Sequence, residues 1–245
     1  MSGHSKWHSI KHKKGAADAK RGKIFTKLAA EIAVAAKDGA DSSMNFKLRL
    51  AVQKAKAANM PSTNIDRAIA RGAGTAGGPA LEELTYEGYG PSGVAVMVNA
   101  LTDNRNRTGA DVKAAFAKYG GNLGAPGSVG YLFEQKGVVV CRANADKEAL
   151  ELAAIDAGAT DIDDTGEQLI VYTAPSDVET MRNALGPDNV ESAEVEKIAS
   201  QTIRVDDEKK ASSLMKMIDL LEDSDDVVEV SANYDIPDEV MEKIG

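Results

Sequence analysis

The spacing of apolar positions changes character along this chain. Residues 1–20 have few apolar positions and no period, which predicts an extended or disordered arm. From Lys20 the pattern is helical. Ile24, Leu28 and Ile32 recur at i, i+4 and i+8, and Gly39 closes that helix. Phe46, Leu50 and Val52 mark a second helix, with Lys47, Arg49, Lys54 and Lys56 on its wetter faces. Pro61 disfavours helix at the residue before it. Ser62 or Thr63 is placed to cap a third, short helix that carries Ile65 and Ile69 and ends at Gly72. Three short helices make a small bundle, and the glycine-rich stretch Gly72–Pro79 reads as a linker.

Beyond Pro79 strands alternate with helices. Strands are expected at Gly93–Leu101 and Ser128–Gln135, with a helix between them opened by a Thr108/Asp111 capping box. A compact unit follows. GVVVC is a strand, and Asp146–Gly158 is a helix with Leu150 and Ile155 on its apolar side. Two strands flank a turn at Thr165-Gly166. A helix carrying Val178, Met181 and Leu185 begins at a Ser176/Glu179 box, and VESAEVEKI is the last strand. This order is β-α-β-β-α-β, that of a ferredoxin-like unit. In the tail, Thr202–Val205 reads as a strand, Leu214, Met217, Ile218 and Leu221 as one helix face, and DVVEVSANYDI as a final strand. With the elements of 93–135 they complete a second such set. The expectation is an α+β protein: an N-terminal basic arm and three-helix bundle (1–78), then two ferredoxin-like α/β domains. One of these (136–200) is inserted in the other (79–135 plus 201–245).

Charge sharpens this division. Residues 1–78 hold 15 Lys and Arg against 5 Asp and Glu, a net of +10; residues 79–245 hold 14 against 33, a net of −19, giving −9 for the chain. Such asymmetry points to a polyanionic partner for the first part. The single cysteine, Cys141, excludes an intramolecular disulfide and fits a reducing compartment. No apolar run approaches the length of a membrane span, and the N-terminal residues lack the apolar core of a signal peptide. A cytoplasmic protein with no membrane partner is expected.

The residues give little support to catalysis. His4, His8 and His12 have no triad partners nearby, and neither a nucleophile elbow nor a Walker A loop is present. Cys141 lies in an apolar run, where a buried inert thiol is expected. The three histidines would align on one helix face, but three such ligands rarely close a tetrahedral site, so no metal is expected. Glu222, Asp223, Asp225 and Asp226 lack the spacing of a calcium loop. The expectation is a protein that is not an enzyme and holds no cofactor.

A polyanion suits the arm better. Lys6, Lys11, Lys13, Lys14, Lys20, Arg21 and Lys23 each can neutralise a phosphate, and Trp7, flanked by His8 and close to His12, offers a stacking surface. The competing reading packs Trp7 onto the bundle and leaves the lysines solvated; the density of cations beside an aromatic favours nucleic acid. Arg67 and Arg71, at i and i+4 of the third helix, either extend this surface or are offset locally by Asp66. Arg105 and Arg107 in TDNRNRT feed a helix N-terminus, where backbone N–H groups favour anions. With so many acids nearby, pairing of these arginines with the acidic surface competes with that reading and is slightly preferred. Acid-rich faces suit basic proteins, or serve solubility alone.

The stretches SGHSKWHSIKHKKGAADAKRGKIFTKLAAEI, KAKAANMPSTNIDRAIARG, YEGYGPSGVAVMV, LTDNRNRT and GGNLGAPGSVGYLF resemble the YebC/PmpR family over essentially the whole chain. Phe46 departs from the family pattern, which often has proline there. The resemblance implies three domains and a probable transcriptional regulatory protein that binds DNA. The family also includes translation factors, among them a mitochondrial translational activator, for which ribosomal RNA and the ribosome are the implied partners. The weak case for a base-reading helix and the stacking Trp7 lean toward RNA; the family's usual label leans toward DNA.

Overall fold

The structure is a computed structural model that describes residues 18–77, 80–143, 145–166 and 168–244, the side chains of 18–21 excepted. The expected arm at 1–17 and the end of the linker at Gly78 and Pro79 lie outside the described residues. In chain order the helices are α1 (Asp18–Ala35), α2 (Phe46–Ala57), α3 (Ser62–Gly72), α4 (Arg105–Lys118), α5 (Lys147–Asp156), α6 (Val178–Leu185), α7 (Glu208–Glu222) and α8 (Asp238–Ile244). The strands are β1 (Glu82–Tyr89), β2 (Ala95–Thr102), β3 (Asn122–Leu123), β4 (Phe133–Cys141), β5 (Asp161–Asp164), β6 (Leu169–Thr173), β7 (Val190–Ala199), β8 (Ile203–Arg204), β9 (Val227–Ala232) and β10 (Tyr234–Asp235). The fold is mixed α+β with antiparallel four-stranded sheets. The chain divides into two compact units, one built on residues 16–130, 205–232 and 239–245, the other on 131–204 and 233–238.

In the first unit α1, α2 and α3 enclose Leu28, Ile32, Ala35, Leu48, Ala51, Ala55, Met60, Ile65 and Ala68. The apolar stripe of α1 is shorter than its sequence suggests, because Ile24 is 43% exposed. The buried edge of α2 is Leu48, Ala51 and Ala55, whereas Phe46 and Leu50 are half-buried. Small residues at the crossing let the helices approach closely. Asn45 caps α2 by accepting from the Leu48 N–H at 3.1 Å, and its amide donates to the carbonyls of Ala35 (2.7 Å) and Gly39 (2.8 Å). One side chain thereby ties the start of α2 to the end of α1. At α3 neither Ser62 nor Thr63 caps; the helix starts at Ser62, Pro61 takes the cap position, and no side-chain capping bond forms. Gly72 meets α1 so closely that a Cβ there would lie 2.0 Å from the Ala33 carbonyl oxygen.

The same unit contains a sheet of order β3-β1-β2-β9. β1 pairs antiparallel with β2, from Glu82↔Thr102 to Tyr89↔Ala95. Over this sheet α4 buries Val112, Ala115 and Phe116, and α7 buries Leu214, Met217, Ile218 and Leu221. Gly88 and Gly90 admit these helices, since a Cβ on either would come within 2.8 Å of Phe116 or Met217. The strand order is ferredoxin-like, but the third strand is supplied from the N-terminal side by β1, which the apolar pattern did not disclose. The strand expected at Thr202–Val205 shrinks to two-residue β8, which pairs in parallel with β10. Both edges of β2 are already taken, by β1 and β9, so no place beside it remains.

The expected strand Ser128–Gln135 is also revised. The Glu87 carboxylate accepts from the N–H groups of Gly127 (2.7 Å), Val129 (2.8 Å) and Gly130 (2.7 Å). Donors used in this way are withdrawn from any ladder, so 127–130 is a loop and β4 begins at Phe133, running unbroken through GVVVC.

In the second unit the sheet has order β5-β6-β4-β7, all antiparallel. With α5 and α6 this is the β-α-β-β-α-β unit read from the sequence. Val139, Cys141, Leu150, Ala154, Leu169, Val171, Met181, Leu185 and Val190 form its core. Ile155, expected on the apolar side of α5, is 63% exposed. The Thr108/Asp111 and Ser176/Glu179 boxes do not form. Asn104 caps α4, with Thr108 buried one turn inside, and no side chain caps α6.

Gly72→Ala is expected to cost about 2–3 kcal/mol through the clash with Ala33, read as a lower urea midpoint with unchanged slope. Gly77→Ala, where a Cβ meets nothing within 4 Å, should leave the midpoint in place.

Candidate nucleic-acid interface

Of the residues expected to contact a polyanion, Lys6, Trp7, His8, Lys11, His12, Lys13 and Lys14 lie outside the described residues. Lys20 and Arg21 stand in the first turn of α1, where only the backbone is described. Lys23 follows on the same helix. Its ammonium donates to the Asp223 carbonyl at 3.1 Å and lies 3.5 Å from the Asp223 carboxylate. One turn on, Lys27 donates to the Glu222 carbonyl. Both acceptors are at the C-terminal end of α7, whose own last turn contains no basic residue. Cations there satisfy free carbonyls and offset the negative end of the helix dipole. Burial pushes the Lys27 ammonium below its usual pKa, against the raising effect of Glu222, Asp223 and Asp225. Lys37 likewise donates to the Leu81 carbonyl.

The cations of α2 and α3 divide into held and open groups. Arg49 donates to the carbonyls of Ser42 and Ser43, both at 3.0 Å, and its guanidinium lies 5.7 Å from the centre of the Phe46 ring. Lys54 lies 3.4 Å from Glu31. Arg71 is half-buried and has an interaction of its own. Arg67 is exposed, and neither it nor Asp66 has a side-chain partner among the described residues. Lys47 and Lys56 are also exposed and open. These two are additions to the set expected from the sequence; they flank the buried Leu48, Ala51 and Ala55 edge of α2 on its two sides.

At TDNRNRT the two arginines differ. Asn104 accepts from the Arg107 N–H at 3.1 Å and opens α4. The Arg107 guanidinium then donates to Asp226 at 2.8 and 3.0 Å through one nitrogen and at 3.3 Å through another. Thr108 donates to the same carboxylate at 2.7 Å. The anion at this helix start is therefore the chain's own Asp226. Arg105 remains exposed, and its carbonyl accepts from the Tyr86 hydroxyl at 3.4 Å. Burial pushes the Asp226 carboxyl upward, but hydrogen bonds from Thr108 and Arg107 and the guanidinium charge outweigh it, leaving the group below its usual range. Around this pair a cleft of about 790 Å³ is lined by Lys23, Arg107 and Lys118 together with Asp111, Asp223, Asp225 and Asp226. Such mixed charge suits neither a polyanion nor a metal. Among the described residues no group of three or more His, Cys, Asp or Glu is arranged to hold a metal ion, and no helix is long and apolar enough to cross a membrane. Cys141 is buried, and desolvation raises its thiol to about 11.

Two outcomes follow from the turn at 222–226. Asp226→Asn should lower stability at neutral pH by about 2 kcal/mol, the scale of a charge-assisted hydrogen bond. Because the folded carboxyl is depressed, its contribution is present above the unfolded carboxylate pKa and is lost as pH falls through the folded one. The gap between wild-type and variant urea midpoints should thus close in acid. Lys27→Met keeps the aliphatic stem and removes the bond to Glu222, and thermal unfolding should show a loss of about 1–2 kcal/mol.

Comparison with known proteins places the chain. Residues 5–75 match the TACO1/YebC protein N-terminal domain, and residues 81–234 match the TACO1/YebC second and third domain. The chain is 55% identical over 247 residues to a "Probable transcriptional regulatory protein" of Syntrophotalea carbinolica, covering 100% of this chain and 99% of that one. A relative of the same name from Persephonella marina is 49% identical over 249 residues, covering 100% of both chains. Among solved structures, a conserved hypothetical protein from Aquifex aeolicus superposes with a TM-score of 0.85 at 45% identity, covering 91% of this chain and 94% of that one. The chain belongs to the TACO1/YebC family, that is, the YebC/PmpR family, whose curated relatives are named probable transcriptional regulatory proteins.

Proposed function

We propose that this protein is a non-enzymatic regulator that binds nucleic acid, acting on DNA in transcription, in the cytoplasm. The observation that carries the reading is the segregation of charge: +10 over residues 1–78 and −19 over the remainder. The six Lys and Arg of 2–21, with Trp7, supply most of the phosphate contacts and the stacking surface, since Lys23 is held by Asp223. Arg67, Lys47 and Lys56, open toward solvent, add cations from the bundle. The names of the relatives support the transcriptional assignment.

One feature of the bundle favours a second reading. The solvent side of α3 presents Ser62, Thr63, Asp66 and Arg67, with a carboxylate next to the only exposed arginine of that helix. Base recognition in a major groove asks for several side chains aimed at base edges, and this short face offers one exposed arginine and one acid for it. A surface of this kind grips backbone and shape. It is equally suited to ribosomal RNA, with the protein acting on the ribosome as a translation factor.

The test is binding to a labelled duplex and to a ribosomal RNA fragment across a salt series. If the six Lys and Arg of 2–21 all contact phosphate, the duplex slope of log K against log salt should be about −5. Removing residues 2–23 should abolish binding to both polymers, and Arg67→Ala should flatten the slope by about one. An undiminished affinity in the truncated protein overturns the proposal. A specificity ratio near one on promoter DNA, together with salt-sensitive sedimentation on ribosomes, selects the translation reading.

A further inference from the structure

The second compact unit has a helix face that its own core does not use. Helix α5 turns Leu150 and Ala154 into the core, yet Leu152 is 66% and Ile155 63% exposed. Three residues apart, these two side chains are neighbours on the helix surface. Exposed Glu148 and Asp156 and half-buried Glu151 surround them on the same helix. The basic residue of this helix, Lys147, is turned to the 164–166 turn, donating to Asp164 at 2.5 Å and to the Gly166 carbonyl at 3.0 Å. Nearby Arg142 donates to the Asp188 carbonyl at 3.1 Å. Residues 131–204 as a whole hold 15 Asp and Glu against 6 Lys and Arg, a net of −9.

We propose that the Leu152–Ile155 face of α5 docks a cationic, amphipathic polypeptide segment of a partner protein, its aliphatic side chains against Leu152 and Ile155 and its lysines or arginines against Glu148, Glu151 and Asp156. Charge chooses this occupant. A second copy of the face would bring the same carboxylates together, and a nucleic-acid backbone would be repelled by them. Solubility accounts for the acids but gives no reason for two large aliphatic side chains at their centre, and an apolar centre with a charged rim is the anatomy of a docking site. The proposal does not rest on the nucleic-acid reading, since it uses no residue of the arm or bundle.

The test uses the isotope-labelled full-length protein and three synthetic 18-residue probes: a Lys/Leu amphipathic helix, a Lys/Ser peptide of equal charge, and a Glu/Leu amphipathic helix. The Lys/Leu probe should shift backbone resonances of 148–156, bind at least tenfold more tightly than Lys/Ser, and lose that advantage in Leu152→Ser/Ile155→Ser. Glu148→Lys/Glu151→Lys should weaken it further, while Glu/Leu should not bind. Both pairs replace solvent-facing or half-buried side chains, and unchanged thermal unfolding verifies that each variant folds. Equal binding of Lys/Leu and Lys/Ser, shifts that map away from α5, or an affinity unaffected by the double serine variant overturns the proposal. So does a dimer in sedimentation velocity that the serine variant abolishes, because the occupant would then be a second copy. A duplex that moves the same resonances also counts against it.

Discussion

The turn that ends α7 sets a constraint that other parts of its unit answer. Glu222 ends α7 and Asp223, Asp225 and Asp226 follow it, while the last turn of the helix contains no cation. Four carboxylates at the negative end of a helix dipole are unfavourable unless positive charge arrives from elsewhere. It arrives from two directions. Helix α1 brings Lys23 and Lys27 to the carbonyls of Asp223 and Glu222, and α4 brings Arg107 and Thr108 to the Asp226 carboxylate. The backbone joins in, since the Asp226 carbonyl accepts from the Leu101 N–H of β2 at 2.8 Å. Helix, bundle and sheet are therefore joined at one acidic corner by bonds between partners far apart in sequence.

This corner shapes what the basic region can do. Lys23 and Lys27 serve an intramolecular acceptor, so the charge open to an external polyanion must come from residues before them and from the solvent side of the bundle. Arg107 is committed in the same way, whereas Arg105, two residues earlier, is exposed. Glu87 shows the complementary device. Its carboxylate gathers three backbone N–H groups of the 127–130 loop and so ends what would otherwise continue as a strand. In each case an acid acts by finding a donor within the chain.

Much of this was legible in the sequence. The three helices of the bundle, the Gly39 stop and the β-α-β-β-α-β order of 133–199 follow from local periodicity and from residues with special backbone freedom, which act over a few positions; Gly72, expected as a stop, instead stays inside α3 where a Cβ would strike Ala33, and the left-handed residue past the helix is Gly74. Leu214, Met217, Ile218 and Leu221 were readable as one buried face because a helix repeats every 3.6 residues whatever it packs on. β1 was not readable. Its inner positions are Leu84, Tyr86 and Gly88, and Gly88 is there because Phe116 needs the space, a fact that lies 28 positions away.

What the amino-acid order determined by itself was the separation of a cationic first part from an anionic remainder, the helical or extended nature of most segments, and membership in the TACO1/YebC family. Those properties are sums over residues or repeat within a turn or two. Only the tertiary structure decided which cations are held by internal acceptors, which strand fills the third place in the first sheet, and which apolar residues stay in water. Each of these depends on a partner brought close by folding: Lys27 meets Glu222 across 195 positions, and Arg107 meets Asp226 across 119. No local pattern encodes such a pairing, because its energy depends on distance in space and on the water excluded around it.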